Sequence, residues 1–317
     1  MRSLSIFNST IQIPDDSFNF LNYCTANGFE TVTFIHSESN YAIAALRTLV
    51  DRVVRKPIIP IPFKDFLHAG FPVLPNSLPL IVSDDNVIES TRLSLAKLNR
   101  SDAIVCHIGS EQSCLDQYTT YLFPTNFVDV SSPDYLLGHF IFQFVGLLHL
   151  LECNDLISFI ISSYPQMIDL IKKRSLSFIT ELSTVINERQ HLLIIARCQE
   201  ESFAKMLEYV LNATTNVMCS AIGGGELKHG PLALIDEHMP VLVLASNSEN
   251  HLQPKLSNMT HQLTARKGLI GIIHTDVNED LGRNAWLTLK IPSINPILQP
   301  LLLIPVALQL IEFTHNE

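Results

Sequence analysis

The stretch GELKHGPLALIDEHMPVLVLA, Gly225 to Ala245, decides how this chain is read. Its second part, Pro240–Ala245 (PVLVLA), is a short, continuous apolar run rich in valine, as expected of a strand buried on both faces of a sheet. Its first part holds Gly225, Gly230 and Pro231, which fix a loop rather than a helix.

Working outward, the same grammar repeats. In the second half, Ile168–Ile186 and Glu201–Leu211 have helical spacing, Leu192–Ala196 is a strand, and Leu252–Arg266 is a helix before the strand Leu269–His274. Trp286–Ile291 is the last strand. The greasy Ile297–Ile311 segment, with Pro300 and Pro305, reads as a buried helix kinked or started by its prolines. In the first half, strands are expected at Thr31–Ile35, Leu78–Val82, Ala103–Ile108 and Tyr121–Phe123. Helices are expected at Asn40–Arg55, at Val87–Leu98 with apolar Val87, Leu93, Leu95 and Leu98, and at Phe140–Leu151. Strands alternating with helices imply parallel sheets covered on both faces. The fold class is therefore α/β, with a first domain over residues 1–160 and a second over 161–317.

Composition narrows the function. Of 317 residues, 47% are hydrophobic and 16% charged, which allows a large core. The net charge of −10 comes without a long basic run, so nucleic acid is not an expected partner. None of the six cysteines lies in a CxxC pair or at zinc spacing. Reduced thiols in a cytoplasmic protein are expected, with no metal and no cofactor. The longest apolar run, Phe140–Leu151, has twelve residues and is too short to span a bilayer, so no membrane is expected.

Gly225–Asp236 and the strand behind it resemble the isomerase module of glucosamine-6-phosphate synthase, which is built from two sugar isomerase (SIS) domains. Ile194–Glu208 resembles that family's second-half strand and helix, Arg197 matching its arginine, and Pro292–Leu310 resembles its proline-marked final helix. His36–Asn40 and Val82–Thr91 stand where the family has a CysGlyThrSerTyr turn and a phosphate loop. The resemblance implies two flavodoxin-like three-layer α/β/α halves, each with a mainly parallel sheet. It implies a small sugar or sugar phosphate as ligand, and a homodimer, because the family's ring-opening histidine is contributed across a subunit interface. The glutaminase domain of that family is expected to be missing, since position 2 is Arg2 and not cysteine.

The matching residues then divide. His229 falls on the ring-opening histidine and suits acid–base work near neutrality; the alternative is a loop kept only for its turn. The family's proton-transferring glutamate falls on Ala213, its neighbouring lysine on Val210 and a second glutamate on Met206. Glu208, the nearest carboxylate, is on another helix face. The phosphate loop becomes Ser83, Asp84, Asp85, Asn86, Val87, Ile88. Ser83 keeps its hydroxyl, Ser90 and Thr91 lie one turn later, and the acidic residues suit a helix N-cap. Ser39 matches a sugar-contacting serine or caps the next helix, and Ser131 and Ser132 stand near a further hydroxyl cluster. Glu226 is a candidate ligand contact, or an ion-pair partner of Lys228 within its loop. An anion at the first-half loop would meet Asp84, Asp85 and Glu38, and like charges should repel it. The expectation is a sugar-binding SIS protein with impaired catalysis. The alternative is an active phosphosugar isomerase, aminotransferase or deglycase using His229.

Overall fold

Among the described residues the apolar runs become ten strands, arranged as two separate five-stranded sheets. The structure, a computed structural model, describes residues 20–37, 41, 42, 45, 56–84, 87–99, 102–109, 120–124, 133–246, 253–275 and 285–315. These residues fall in two compact units: one, within 1–130 and 138–161, carries the first sheet, and the other, within 131–137 and 162–317, carries the second.

The first unit opens with helix α1 (Phe20–Ala26) and strand β1 (Thr31–His36), followed by β2 (Ile58–Pro62), a short helix α2 (Phe63–Leu67), β3 (Ser77–Ser83), α3 (Ile88–Leu98), β4 (Ile104–Gly109) and β5 (Tyr121–Pro124). Helix α4 (Pro133–Leu150) follows. All pairings are parallel and the strand order is β2-β1-β3-β4-β5. Every residue of β3 is buried, as a central parallel strand requires. On one face Ile35, Ile61, Ile81 and Val105 pack with Phe63 and Phe66 of α2, and Leu95 and Leu98 of α3 lie against them. Side chains of α4 meet strand ends at Asp84 and Tyr121.

The second unit takes most of helix α5 (Asn154–Arg189), then β6 (His191–Ala196), α6 (Gln199–Thr214), β7 (Met218–Gly223), β8 (Pro240–Ala245), α7 (Gln253–Ala265), β9 (Leu269–His274), β10 (Leu287–Lys290) and α8 (Ile304–His315). Its order, β10-β9-β8-β6-β7, is again fully parallel. Numbered from the first strand of each unit, both sheets are 2-1-3-4-5, the flavodoxin-like order. The period of two is visible in the packing. Leu193, Ile195, Val241, Val243, Ala245, Ile270 and Ile272 face Leu256, Met259 and Leu263 of α7. On the opposite face Gly271 lies so close to Phe178 of α5 that a Cβ there would sit 3.2 Å from its ring. Helices therefore cover both faces, giving the three-layer arrangement.

The structure differs from the sequence reading in particular places. Strands β2 and β7 and helix α1 go beyond the runs expected. Helix α5 begins at Asn154 and carries Pro165 inside it, where only Ile168–Ile186 reads as helix. Leu93 is 49% exposed, and the buried residues of α3 are Thr91 and Ser94. The C-terminal segment is a 3-10 turn at Gln299–Leu303 with Pro300 in its first turn, continuing as α8 with Pro305 in its first turn; the prolines start helices rather than kink one. Most of the expected Asn40–Arg55 helix, together with Glu38, Ser39, Asp85, Asn86, Ser131 and Ser132, lies outside the described residues.

Candidate functional site

A 2-1-3-4-5 sheet has a switch point between its first and third strands, where the chain leaves in opposite directions and opens a crevice at the carboxyl ends. In the first unit the residues there are His36 and Ser37 after β1 and Ser83 and Asp84 after β3. Ser83 is 1% exposed and its Oγ lies 2.8 Å from Thr91 Oγ1. Thr91 Oγ1 donates to the carbonyl of Val87 at 2.9 Å. A hydroxyl has one proton, so Thr91 has none left for Ser83, and Ser83 must donate to Thr91. The candidate phosphate hydroxyl is thus committed to an internal chain, Ser83 to Thr91 to Val87. Ser90, on the same helix, is half-buried.

Asp84 stands three residues before the N-cap of helix α3. The N-cap position is Val87, with no side-chain cap hydrogen bond, and Asp84 is buried with Oδ2 accepting from Gln143 Nε2 of α4 at 3.3 Å. Its carboxylate serves the packing of β3 on α4. Tyr121 of β5 and His149 of α4 form a second buried polar pair, the phenol against His149 Nδ1, with rings stacked at 5.8 Å. Burial pushes the Tyr121 phenol up and the His149 imidazole down, so the pair is a neutral hydroxyl beside a neutral ring at pH 7.

In the second unit the crevice between β6 and β8 is filled from within. Glu200, in the first turn of α6, is 1% exposed, and its Oε1 accepts from the backbone N–H of Ser246 at 2.9 Å and from the Ser246 hydroxyl. The loop from Gly225 to Asp236 follows the end of β7. Leu227–His229 is a 3-10 turn, and Gly230 at φ +145° connects it to a second one, Pro231–Leu234, a conformation that L side chains rarely adopt. Gly223 lies over the carboxylate of Glu201, and Gly224 lies over Arg197: a Cβ at Gly224 would be 2.7 Å from Arg197 Nε. Burial pushes the Glu201 carboxyl up, against a hydrogen bond from the Cys198 backbone and the charge of Arg197, with Glu226 adding to the rise.

His229 is exposed, and its backbone N–H donates to the carbonyl of Glu226 at 2.9 Å. Glu226 is also exposed, and among the described residues neither it nor Lys228 forms an ion pair, so the expected Glu226–Lys228 pair is not formed. Leu234, a few residues on, is 69% exposed. On α6, Met206 and Val210 are 2% and 0% exposed and belong to the core, while Ala213 is exposed near the helix end. Glu208 is paired with Lys205 at 3.0 Å.

A pocket of about 110 Å³ opens at the carboxyl edge of this sheet, between the loop after β7 and α7. It brings Arg197, Lys228 and Lys255 together, a set that the linear sequence does not display. The signal available was the i, i+3, i+7 spacing of Lys255, Asn258 and Gln262 along one face of α7. Among the described residues no group of three or more His, Cys, Asp or Glu side chains could hold a metal, and no helix is long and apolar enough to cross a membrane.

Residues 185–313 match the SIS domain family. This part of the chain is a SIS domain. The chain is homologous to glutamine–fructose-6-phosphate aminotransferases (isomerizing). It is 30% identical to the one from Thermus thermophilus over 150 residues, 47% of this chain and 24% of that one. It is 28% identical to the rat protein over 292 residues, 87% of this chain and 41% of that one. The chain thus spans less than half the length of these curated relatives. Among solved structures, the C-terminal domain of glucosamine-fructose-6-phosphate aminotransferase from Francisella tularensis superposes with a TM-score of 0.76 at 17% identity, covering 98% of this chain and 91% of that one. Tagatose-6-phosphate ketose/aldose isomerase from Escherichia coli gives 0.72 at 11% identity, covering 93% and 85%. The likeness runs over both sheets, so the fold is that of SIS proteins on either side of Ile161.

Proposed function

We propose that this protein binds a small sugar or sugar phosphate and has lost the proton-transfer chemistry of its SIS relatives. The observation that carries this is helix α6. Where the resemblance puts a glutamate, a lysine and a second glutamate, this chain has Met206 and Val210 in the core and Ala213. Isomerisation needs a carboxylate or comparable base within hydrogen-bond reach of the proton it moves, and none of these three positions supplies one. The inward commitment of Ser83 supports the same reading, because a phosphate oxygen needs a donated proton and Ser83 gives its own to Thr91.

In this reading Glu226 and His229, exposed on the loop after β7 in the second unit, are the contacts offered to the ligand. The protein works as a cytoplasmic homodimer, in which the exposed His229 and Leu234 meet a second copy. A second reading, an active isomerase, aminotransferase or deglycase, is favoured by one observation: His229 is exposed and makes no side-chain hydrogen bond among the described residues. Calorimetric titration with fructose-6-phosphate and glucosamine-6-phosphate, followed by analysis of the recovered ligand, separates the readings. Saturable binding with unchanged ligand is the expected outcome. Product formation lost in His229→Ala would establish the second reading, and absence of any binding would remove the sugar ligand altogether.

A further inference from the structure

The pocket beside the loop after β7 has the chemistry of an oxyanion site. Its floor is apolar, made by Leu227 and Met259, which are 1% and 3% exposed. Its walls are cationic: Arg197 at the end of β6, Lys228 in the 3-10 turn and Lys255 on α7. Asn258 and Gln262 lie on the same helix face and are bonded to each other, Gln262 Nε2 donating to Asn258 Oδ1 at 2.5 Å, which leaves the Asn258 amide N–H groups as donors. In a chain with 31 acidic and 21 basic residues, three cations around about 110 Å³ run against the overall balance.

The two lysines are not neutralised within the unit. Among the described residues neither Lys228 nor Lys255 has an ion-pair partner. One carboxylate, Glu201, acts on Arg197, and burial raises its pKa. Like charges brought together without a counter-charge are unfavourable, and such a local conflict is expected where a ligand resolves it. Arg197 is also held in place. Its Nη2 donates to the Gly224 carbonyl at 2.7 Å, and its stem lies against the bare Cα of Gly224. A guanidinium has five N–H donors, and one of Arg197's is spent on this bond, while its Nε–H is buried without a partner among the described residues. A guanidinium fixed in this way loses less entropy on gripping an oxyanion than a free one would. The volume is ample for one tetrahedral oxyanion, since about 10–15 Å³ of such space already holds a water.

We infer that Arg197, Lys228 and Lys255 form a binding site for a phosphate group, free or as the monoester end of a small metabolite, in the second unit and apart from the Ser83 loop. The site stands whether or not the chain turns a sugar over.

The test is calorimetry on the full chain with inorganic phosphate, fructose-6-phosphate and unphosphorylated fructose. The variants are Lys228→Gln, Lys255→Gln, the double variant and Ser83→Ala. Both lysines are exposed, so folding should survive, as far-UV circular dichroism would verify. Inorganic phosphate and the phosphate ester should both bind saturably. Each lysine change should weaken binding by about tenfold, the worth of one charge-assisted hydrogen bond, and Ser83→Ala should leave it unchanged. Affinity for phosphate should fall as NaCl is raised, a readout that needs no variant. Binding of the ester but not of inorganic phosphate would show that the sugar is recognised and that the phosphate is not, which overturns this site while leaving the sugar-binding reading intact. Phosphate binding unaffected by the double variant, or weakened by Ser83→Ala, would overturn it equally.

Discussion

Replacing Glu200 with alanine tests how the second sheet is closed at its switch point. Glu200 is 1% exposed and Ser246 is fully buried, and one oxygen of Glu200 receives both the Ser246 backbone N–H, at 2.9 Å, and its hydroxyl. Glu200→Ala orphans the buried N–H, at about 1–3 kcal/mol, and removes a carboxylate from the first turn of α6, at about 0.3–1 kcal/mol. Together, the expected loss is about 1.3–4 kcal/mol. Glu200→Gln keeps an acceptor oxygen and should cost less, and Ser246→Ala, which removes the hydroxyl alone, should cost about 1 kcal/mol. The protein reports on this itself, because its single tryptophan, Trp286, lies in the second unit next to β10. Urea unfolding followed by Trp286 fluorescence gives the midpoint and slope. A Glu200→Ala chain within about 0.5 kcal/mol of the parent, the range of ordinary surface changes, would refute the claim that this carboxylate closes the crevice.

Gly224→Ala should destabilise the second unit by about 1–3 kcal/mol, because its Cβ would sit 2.7 Å from Arg197 Nε and 3.0 Å from Met259 Sδ; the same urea titration checks it. Ser83→Ala should cost about 1 kcal/mol by far-UV circular dichroism, the worth of its internal hydrogen bond to Thr91. Stability should depend on pH through His149. Its folded pKa lies below the ordinary value of 6.5, so between the two the unfolded chain binds the extra proton; stability is full above pH 6.5 and declines as pH falls below it. Chemical unfolding from pH 8 to 5 should show that decline, and His149→Gln should flatten it. Light scattering at micromolar concentration should give twice the mass of 35.5 kDa, and a monomer would count against the dimer.

The central strands were legible because parallel strands buried on both faces are written as unbroken apolar runs, as in β3 and β8. The edges were not. Strand β2 is IIPIP, and its prolines argue against a strand until its edge position is known; Pro60 is exposed there and pairs with Phe34. Strand β7 alternates exposed Met218 and Ser220 with buried Cys219 and Ala221, too short a pattern to stand out. The loop holding Glu226 and His229 could be read directly, since glycine and proline fix it. What Ser83 does could not, because its hydroxyl is spent on Thr91 only when β3 and α3 pack. The same holds for Glu200 and Ser246, 46 residues apart, and for Arg197 and Lys255, which meet only through the order of the strands.

Loss of proton transfer is the central claim, and solvent deuterium reports on it without needing ammonia or a coupled assay. Fructose-6-phosphate incubated with the purified chain in D₂O, and followed by proton NMR, would exchange its C1 protons if a base on the protein removed them. The account predicts no incorporation above a protein-free control, since α6 presents Met206, Val210 and Ala213 where that chemistry would need a base. Incorporation at C1 that disappears in His229→Ala would contradict it.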